Sequence, residues 1–385
     1  MSADKVIVSG YLAHCPLGGY AWQVLHYLTG LRQLGFEPYF YEDTGTVRDC
    51  FAAGTGIKTD DPRSGAEFAR DFLSQYGFHN HWMVWDALRE QTYGPPGISR
   101  NALLAEARIV INLAGVTRLP PVSGQRRIFV DLDPAFTQIR AAGGDRAWRE
   151  ILSEYDLHCT LGENIGAATC RVPAAGFAWH ATRQPVALEL WQPQAAGAGA
   201  PFTTVGRWDE QRREVHFEGE VYSWRKRVEW MRFLELPQRC GQRFVLAMDA
   251  ATIPEDLQLL QRHGWEVRDP LALSSDPFAY REFIRGSKGE FTVAKDLNVR
   301  LATGWFSDRS ACYLAAARPV VTQDTGFGSV LPSGAGLFAF KTVDEAVAAI
   351  AAISADYDSH ARAARQIAER FFAAERVLGD LLRLL

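Results

Sequence analysis

The chain has 385 residues, which is enough for two domains that each bury a core. Hydrophobic residues make up 47% of it and charged residues 22%, so a chain dominated by disorder is excluded, and the net charge of −4 argues against a nucleic-acid-binding protein. The six cysteines form no CxxC pair, and there is no apolar run long enough to span a membrane. We therefore expect a cytoplasmic protein with reduced thiols, no zinc site, no signal peptide and no nucleic-acid or membrane partner.

The first half of the chain alternates between short apolar runs and segments with helical periodicity. A strand is predicted at 5–9, followed by a glycine-bearing loop, a helix with leucines at helical spacing, and a second strand at 38–41. Near-continuous apolar runs predict further strands at 109–113, 127–132 and 158–161, of the kind that is buried on both faces. This order predicts βαβ units and a parallel sheet. The loop glycines do not match GxGxxG, so a dinucleotide-binding fingerprint is not supported.

The stretch 191–200 is rich in proline, alanine and glycine, and we interpret it as a linker. It separates a first domain at 1–190 from a second domain at 201–357, where a new series of strands and helices begins. The tail at 358–385 is predicted to contain one long helix, at 360–382. We therefore predict an α/β protein with two Rossmann-like parallel-sheet domains that face a cleft.

A turn at 304–310 precedes a short alanine-rich helix at 311–317 and a buried strand at 319–321. Ser307 or Asp308 is expected to cap this helix, because a short side-chain oxygen accepts a hydrogen bond from a free N–H group of the first turn. The other free N–H groups and the helix dipole favour an anion in front of the turn. A diphosphate would suit this position.

At the same turn, Arg309 would add a cation with a planar donor fork, and Ser310 a hydroxyl. The run 307–321 resembles the nucleotide-diphosphate-binding part of GT-B glycosyltransferases, with a capped turn, a small-residue helix and a PVV strand. The resemblance implies that the second domain holds the diphosphate and ribose of a nucleotide-sugar donor, and that the first domain holds the acceptor. It also implies that the C-terminal helix of the tail at 358–385 returns to the first domain. Many members carry a glutamate in this helix that grips the ribose. That position holds Cys312 here, so Asp324 in the next turn becomes the candidate.

Three residues of the first domain are candidates for the base that deprotonates the acceptor hydroxyl. His14 follows the first strand, where the resemblance places a catalytic histidine in many inverting enzymes, and Asp131 or Asp43 could hold its tautomer. Asp131 and Asp133 lie at the end of a predicted strand, and either could itself be the base. The alternatives are a loop histidine bonded to the backbone and a pair of solvated carboxylates.

Further candidates lie in loops that follow predicted strands of the first domain. Gly18 and Gly19 open a helix and could let an acceptor or donor group approach the backbone closely. Asp43 and Glu163 could line the first-domain side of the cleft, because ligands of open parallel sheets bind at the carboxyl ends of the strands. Each of these could instead be an ordinary loop residue.

Two cations and one turn of the second domain complete the candidate donor site. Arg207 and Lys226 match the basic residues that the resemblance directs at the donor diphosphate, which accumulates negative charge as it departs. Both could equally belong to a solvated basic face. Arg268 lies in a turn after a predicted strand, where a nucleobase would stack; this rests on position alone.

With the resemblance, these residues favour a hexosyltransferase that moves a sugar from a nucleotide-diphosphate donor to a hydroxyl of a small-molecule or glycan acceptor. The resemblance implies direct displacement without a metal, and a UDP- or dTDP-sugar as co-substrate rather than a bound cofactor. Inversion is favoured because Cys312 replaces the glutamate. Two alternatives stay open: a nucleotide-sugar epimerase of the same fold, and a non-catalytic nucleotide- or sugar-binding protein. An NAD-dependent oxidoreductase ranks last because the glycine fingerprint is missing.

Overall fold

The computed structural model describes residues 3–45, 50–197, 199–210 and 213–385, and these fold into two lobes. The strands of the first lobe are β1 (Lys5–Ser9), β2 (Glu37–Asp43), β3 (Cys50–Phe51), β4 (Lys58–Thr59), β5 (Trp82–Asp86), β6 (Gln91–Tyr93), β7 (Ile109–Leu113), β8 (Arg126–Asp131), β9 (Leu157–Thr160) and β10 (Trp179–Ala181). The helices of this lobe are α1 (Gly18–Gln33), α2 (Arg63–Ser74), α3 (Arg100–Glu106), α4 (Phe136–Ala142) and α5 (Arg146–Ser153).

Eight of these strands form one sheet in the order β10-β9-β8-β7-β1-β2-β5-β6. All neighbours are parallel except β6, which pairs antiparallel with β5 at the edge. The remaining strands, β3 and β4, form a separate antiparallel hairpin. The strands predicted at 5–9 and 109–113 are confirmed with the same bounds, because their apolar side chains lie in the buried centre of the sheet.

The second lobe contains a six-stranded parallel sheet in the order β15-β14-β11-β16-β17-β18. The strands of this lobe are β11 (Phe202–Gly206), β12 (Val215–Phe217), β13 (Glu220–Tyr222), β14 (Phe244–Met248), β15 (Trp265–Arg268), β16 (Gly289–Thr292), β17 (Val320–Gln323) and β18 (Leu337–Phe340). Of these, β12 and β13 form a separate antiparallel hairpin. The helices of this lobe are α6 (Lys226–Trp230), α7 (Leu236–Cys240), α8 (Pro254–Arg262), α9 (Pro270–Ser274), α10 (Pro277–Arg285), α11 (Asp296–Arg300), α12 (Asp308–Ala315) and α13 (Val343–Ala355). The predicted α/β class with two parallel sheets is therefore confirmed.

Two helices follow α13, namely α14 (Tyr357–Phe371) and α15 (Ala374–Leu382), so the prediction of one helix at 360–382 is wrong. The break falls where the backbone of Val186 in the first lobe binds the tail. Its N–H donates to Phe372 O at 2.7 Å, and its carbonyl accepts from Ala374 N at 3.0 Å. Helix α15 then packs on α1, where a Cβ added to Gly30 would meet Leu378 at 2.7 Å. The tail thus contacts both lobes, as the resemblance implies. The predicted domain boundaries stay a prediction. Ala198 of the predicted linker lies outside the described residues.

The hairpin β12–β13 was not predicted, because each strand has only three residues. It is inserted between β11 and α6, and it packs against α4 of the first lobe. Val215 and Tyr222 of the hairpin share a core with Ala135 and Ile139 of the first lobe. The hairpin therefore forms a strap between the lobes. Within the described residues, none of the helices has both the length and the apolar character needed to cross a bilayer.

Candidate active site

Three adjoining cavities lie between the lobes, at the carboxyl ends of strands of both sheets. The cationic cavity, of about 280 Å³, is lined by Arg207, Lys226, Lys295 and the start of α12. The inner cavity, of about 310 Å³, is lined by Asp133 and the starts of α1 and α12. The outer cavity, of about 400 Å³, lies between the β3–β4 hairpin and the turn after β15. Tyr20 lines all three, so the cavities form one cleft.

Helix α12 begins at the wall between the cationic and inner cavities, where Asp308 and Arg309 line both. The helix starts three residues earlier than predicted, with Ser307 at the N-cap position. The expected capping bond is not made: the Ser307 hydroxyl donates to Asp308 Oδ1 at 3.3 Å instead. The first-turn N–H groups consequently lack a side-chain cap and remain suited to an anion. Ser310 is fully buried and lines none of the three cavities.

The guanidinium of Arg309 is anchored by the protein. Its Nε donates to Glu290 Oε1 at 2.6 Å, and its two Nη atoms donate to the Val205 carbonyl at 2.6 Å and to Thr292 Oγ1 at 3.0 Å. These bonds fasten the start of α12 to β11 and β16. Since buried Glu290 offsets its charge and protein acceptors occupy three of its nitrogens, Arg309 does not offer a free donor fork to the cleft.

Lys226 makes no ion pair with a described residue. Its Nζ lies 5.7 Å from the centre of the Trp305 ring. The pKa of Lys226 is lowered to about 7, mainly by burial and in addition by the nearby charges of Arg309 and Lys295. Crowded cations in a partly buried cavity favour binding of a multiply charged anion.

Lys295 and Arg207 add two further cations to the same cavity. Lys295 Nζ donates to Asp133 Oδ1 at 2.9 Å across the cleft and lies 3.2 Å from the centre of the Trp224 ring. The side chain of Arg207 is 60% exposed, and its Nε lies 3.9 Å from Glu210. Arg207 also lines the outer cavity, so it can contact a ligand that spans both cavities.

His14 is held by Glu42, which was not among the sequence candidates. The Nδ1 atom of His14 lies 2.6 Å from Glu42 Oε1, and the buried Glu42 carboxylate also accepts three backbone N–H groups of the loop at 12–14. Burial acts to lower the pKa of His14, but hydrogen bonds to Cys50 and Glu42 raise it to about 10. His14 lines none of the three cavities, and its role as the base stays a prediction.

The expectation that Asp131 or Asp43 orients His14 is therefore wrong. Successive side chains of a strand point to opposite faces of the sheet, so Glu42 and Asp43 at the end of β2 have different neighbours. The carboxylate of Asp43 lies 3.5 Å from the Arg100 guanidinium, and burial raises the pKa of Asp43. Asp43 lines none of the three cavities.

Asp131 and Asp133 are two residues apart but have different surroundings. Asp131 is 1% exposed, and its carboxylate accepts hydrogen bonds from two side chains of α4 and one of β9. Burial raises the pKa of Asp131 to about 6 despite these bonds. The side chain of Asp133, in contrast, is 45% exposed and lines the inner cavity. Of the two, only Asp133 can contact a ligand in the cleft.

Gly18 and Gly19 have separate roles at the start of α1. A Cβ added to Gly18 would meet Tyr280 Cβ at 2.8 Å, so its close approach is a contact between α1 and α10 of the other lobe. Gly19 lines the inner cavity, where the nearest atom to an added Cβ is the Tyr280 hydroxyl at 3.8 Å. Glu163 lines none of the cavities and pairs with Arg183 through bonds of 2.7 and 2.6 Å; burial raises the pKa of Glu163.

Arg268 and Asp324 also lie outside the three cavities. Arg268 is exposed at the end of β15, although the next residues, Asp269 and Pro270, line the outer cavity. Asp324 bonds the N–H of Gly326 at 2.8 Å and lies 3.3 Å from Lys341. The roles predicted for both residues stay predictions.

Lys295 and the aromatic lining were not selected from the sequence. Lys295 follows the buried strand β16 in a loop at the carboxyl end of the sheet, and this position alone could have identified it. Trp224, Trp305, Tyr11 and Tyr20 line the cationic or inner cavity. The aromatic content of 12% gave only a general signal for them. Among the described residues there is no cluster of three or more acidic, histidine or cysteine side chains suited to a metal ion.

No protein-family model matches the chain, and no curated protein matches it. Solved structures do match. An alpha-glucosyltransferase in complex with UDP is 9% identical with a TM-score of 0.62, over 99% of each chain. A structure of an alpha-glucosyltransferase with UDP and a 13-mer DNA has a TM-score of 0.59 at 10% identity, over 100% of this chain and 99% of the other.

Two further matches cover nearly the whole chain. HepE from Anabaena, in complex with UDP and glucose, is 11% identical with a TM-score of 0.54, over 99% of this chain and 100% of its own. Sucrose-phosphate synthase from Thermosynechococcus elongatus is 12% identical with a TM-score of 0.53, over 99% and 98%. These similarities, together with the two facing parallel sheets, show that the chain has the GT-B fold.

We predict that protonated His14 stabilises the fold below neutral pH. Its folded-state pKa of about 10 lies above the ordinary value of 6.5, so the folded state binds the proton more tightly than the unfolded state. The stabilisation is fully present below pH 6.5 and is lost as the pH rises toward about 10. Chemical denaturation of the wild type and His14→Gln at about pH 6, 8 and 10 measures the difference in unfolding free energy.

That difference should shrink steadily across the series. The matched substitution His79→Gln, at an exposed position, controls for the general effect of replacing a histidine. A difference for His14→Gln that stays constant or grows between pH 6.5 and about 10 contradicts the assigned ion pair with Glu42.

Proposed function

We propose that this protein is a glycosyltransferase that moves a sugar from a nucleotide-diphosphate donor to an acceptor hydroxyl in the cleft between the lobes. The observation that carries the proposal is the cationic cavity, which is lined by Arg207, Lys226, Lys295 and Arg309. Burial, and then the charges of Arg309 and Lys295, lower the pKa of Lys226 to about 7. The start of α12 lines the same cavity. Cations and a helix N-terminus together suit a diphosphate.

The remaining parts of the donor are assigned by continuity of the cleft. Arg207 lines both the cationic and the outer cavity, so a nucleoside linked to the diphosphate would occupy the outer cavity. There Asp269 and Pro270 face the β3–β4 hairpin of the first lobe. The donor sugar would then lie toward the inner cavity, close to Asp133 and Gly19. UDP is the favoured nucleotide, because similar structures contain it.

The departure of the diphosphate requires neutralisation of the negative charge that develops on it. Lys226, Lys295 and Arg207, together with the free N–H groups of α12, would neutralise that negative charge, which is the basis for proposing catalysis without a metal. Arg309 contributes indirectly, because its bonds to β11 and β16 hold the helix start in position. Protein dipoles fixed in advance need no reorganisation during the reaction.

Asp133 is the proposed base. Its Oδ1 accepts from Lys295, which leaves Oδ2 available for the acceptor hydroxyl in the inner cavity. Lys295 would link the two halves of the reaction, since it bonds the base and also lines the cationic cavity. A carboxylate on the acceptor side of the cleft suits a direct displacement, so inversion stays the proposed stereochemical course.

We predict that Lys226→Met weakens UDP binding by roughly 10- to 100-fold, because a charge-assisted hydrogen bond contributes about 1.5–3 kcal/mol. Uridine, which lacks phosphate, should bind almost as it does to the wild type. Isothermal titration calorimetry with both ligands measures this. Lys5→Met, at the amino end of the central strand β1 and therefore at the end of the sheet away from the cleft, is the matched control and should leave both affinities unchanged. Equal losses for UDP and uridine refute the proposed diphosphate contact.

We predict that Asp133→Asn lowers the rate of sugar transfer by about 10²- to 10⁴-fold, because an amide cannot take up the acceptor proton. UDP affinity should change little. The assay supplies UDP-glucose with a panel of hydroxyl acceptors and measures glycosylated product, whose anomeric configuration by NMR reports inversion. Asp344→Asn, at an exposed site in α13, is the control. A wild-type rate in Asp133→Asn excludes this base, and conversion of the sugar without an acceptor favours the epimerase.

A further inference from the structure

A fourth cavity, of about 570 Å³, lies away from the cleft, and we call it the junction cavity. It is lined by the linker segment 193–196, by the turn at 317–318 that follows α12, and by one face of α14. The cavity is therefore bounded by the linker and by α14 of the tail, which both connect the two lobes. Helix α12 spans about 12 Å, with the cleft at its start and the junction cavity beyond its end.

Arg318 is a buried cation on the wall of this cavity. It is 1% exposed; one Nη donates to the Tyr357 hydroxyl at 2.7 Å, and the other donates to Gln194 O at 2.8 Å and to the Arg285 carbonyl. None of these acceptors carries a negative charge. Its Nε has no hydrogen-bond partner within the described part of the chain. A buried charge without a counter-ion is costly, so an anion at this wall would be stabilising.

Lys288 is a second cation near Tyr357, and its hydrogen-bond acceptors are also neutral. An adjoining cavity of about 330 Å³ shares Ala196 and Tyr357 with the junction cavity and is lined by Lys288. Lys288 Nζ donates to Gln242 Oε1 at 2.7 Å and to Ser354 Oγ at 2.9 Å, both neutral acceptors. Tyr357 therefore lies between two cations, Arg318 and Lys288, and both donate hydrogen bonds to neutral acceptors.

The mouth of the junction cavity is also basic. Arg362 and Arg365 lie on the same face of α14 as Tyr357, and Arg362 is exposed and makes no ion pair with a described residue. Arg365 bonds the carbonyls of three residues and the carboxylate of Glu369. Among the described lining residues, Asp358 is the single acid against three arginines.

We propose that the junction cavity binds a phosphorylated small molecule. Arg362 would contact the phosphate directly, and the Tyr357 hydroxyl, which accepts from Arg318, keeps its own hydrogen free to donate to the anion. Inorganic phosphate alone would leave most of the space empty. The volume lies in the range of small-molecule sites, and Ala195, Ala196 and other small residues offer an apolar surface to the organic part of the ligand.

The test is calorimetric titration of the wild-type protein with glucose 6-phosphate, ribose 5-phosphate, 3-phosphoglycerate, inorganic phosphate and glucose. At least one organic phosphate should bind more tightly than inorganic phosphate, and glucose should not bind. Arg362→Ala should weaken that binding at least about tenfold, as expected for loss of a charge-assisted contact. Arg370→Ala, at an exposed position of the same helix, should behave as the wild type.

Lys226→Met separates this site from the cleft, where a phosphate could also bind. Binding that is retained in Lys226→Met and lost in Arg362→Ala supports the junction site, whatever the outcome for UDP. The proposal is overturned if no organic phosphate binds, if inorganic phosphate binds as tightly as the organic phosphates, or if binding survives in Arg362→Ala. Loss of binding in Lys226→Met alone would assign the phosphate to the cleft and would also overturn it.

Discussion

The cleft holds like charges close together. Lys226, Lys295 and Arg309 lie around one partly buried cavity, and two carboxylates, Asp133 and Glu290, offset two of them. Burial and mutual repulsion both act against the third charge, which is why the pKa of Lys226 falls to about 7. A ligand with two or more negative charges would offset both the burial of the Lys226 charge and its repulsion by the neighbouring cations. The proposed recognition of a nucleotide diphosphate depends on this arrangement.

The architecture produces the arrangement from both lobes. In parallel sheets the carboxyl ends of the strands share one edge, so loops that are distant in sequence meet there. The turn after β8 supplies Asp133, and the loop after β16 supplies Lys295, and their hydrogen bond spans the cleft. The β12–β13 strap and the return of α15 to α1 give the lobes further contacts. The contacts that hold the lobes together therefore also hold Asp133 and Lys295 within hydrogen-bonding distance of each other.

The sequence predicted the elements better than it predicted the contacts between them. Long apolar runs such as β7 are sufficient to predict a strand, and the resemblance made Lys226 a candidate. The partner of His14 could not be predicted, because the face on which Glu42 or Asp43 lies depends on the register of β2 in the folded sheet. Likewise, nothing local to Arg309 shows that Glu290, on a neighbouring strand, occupies its guanidinium. Contacts of this kind are set by tertiary structure.

The pKa of Lys226 is the property that tests the account most directly. In protein labelled with ¹³C-lysine, the Cε resonance of Lys226, assigned by its loss in Lys226→Arg, can be followed through a pH titration with and without UDP. The account predicts a pKa near 7 for the free protein, well below the ordinary 10.5, and a clear rise when UDP binds. A pKa close to 10.5 that UDP leaves unchanged would contradict the proposed diphosphate site.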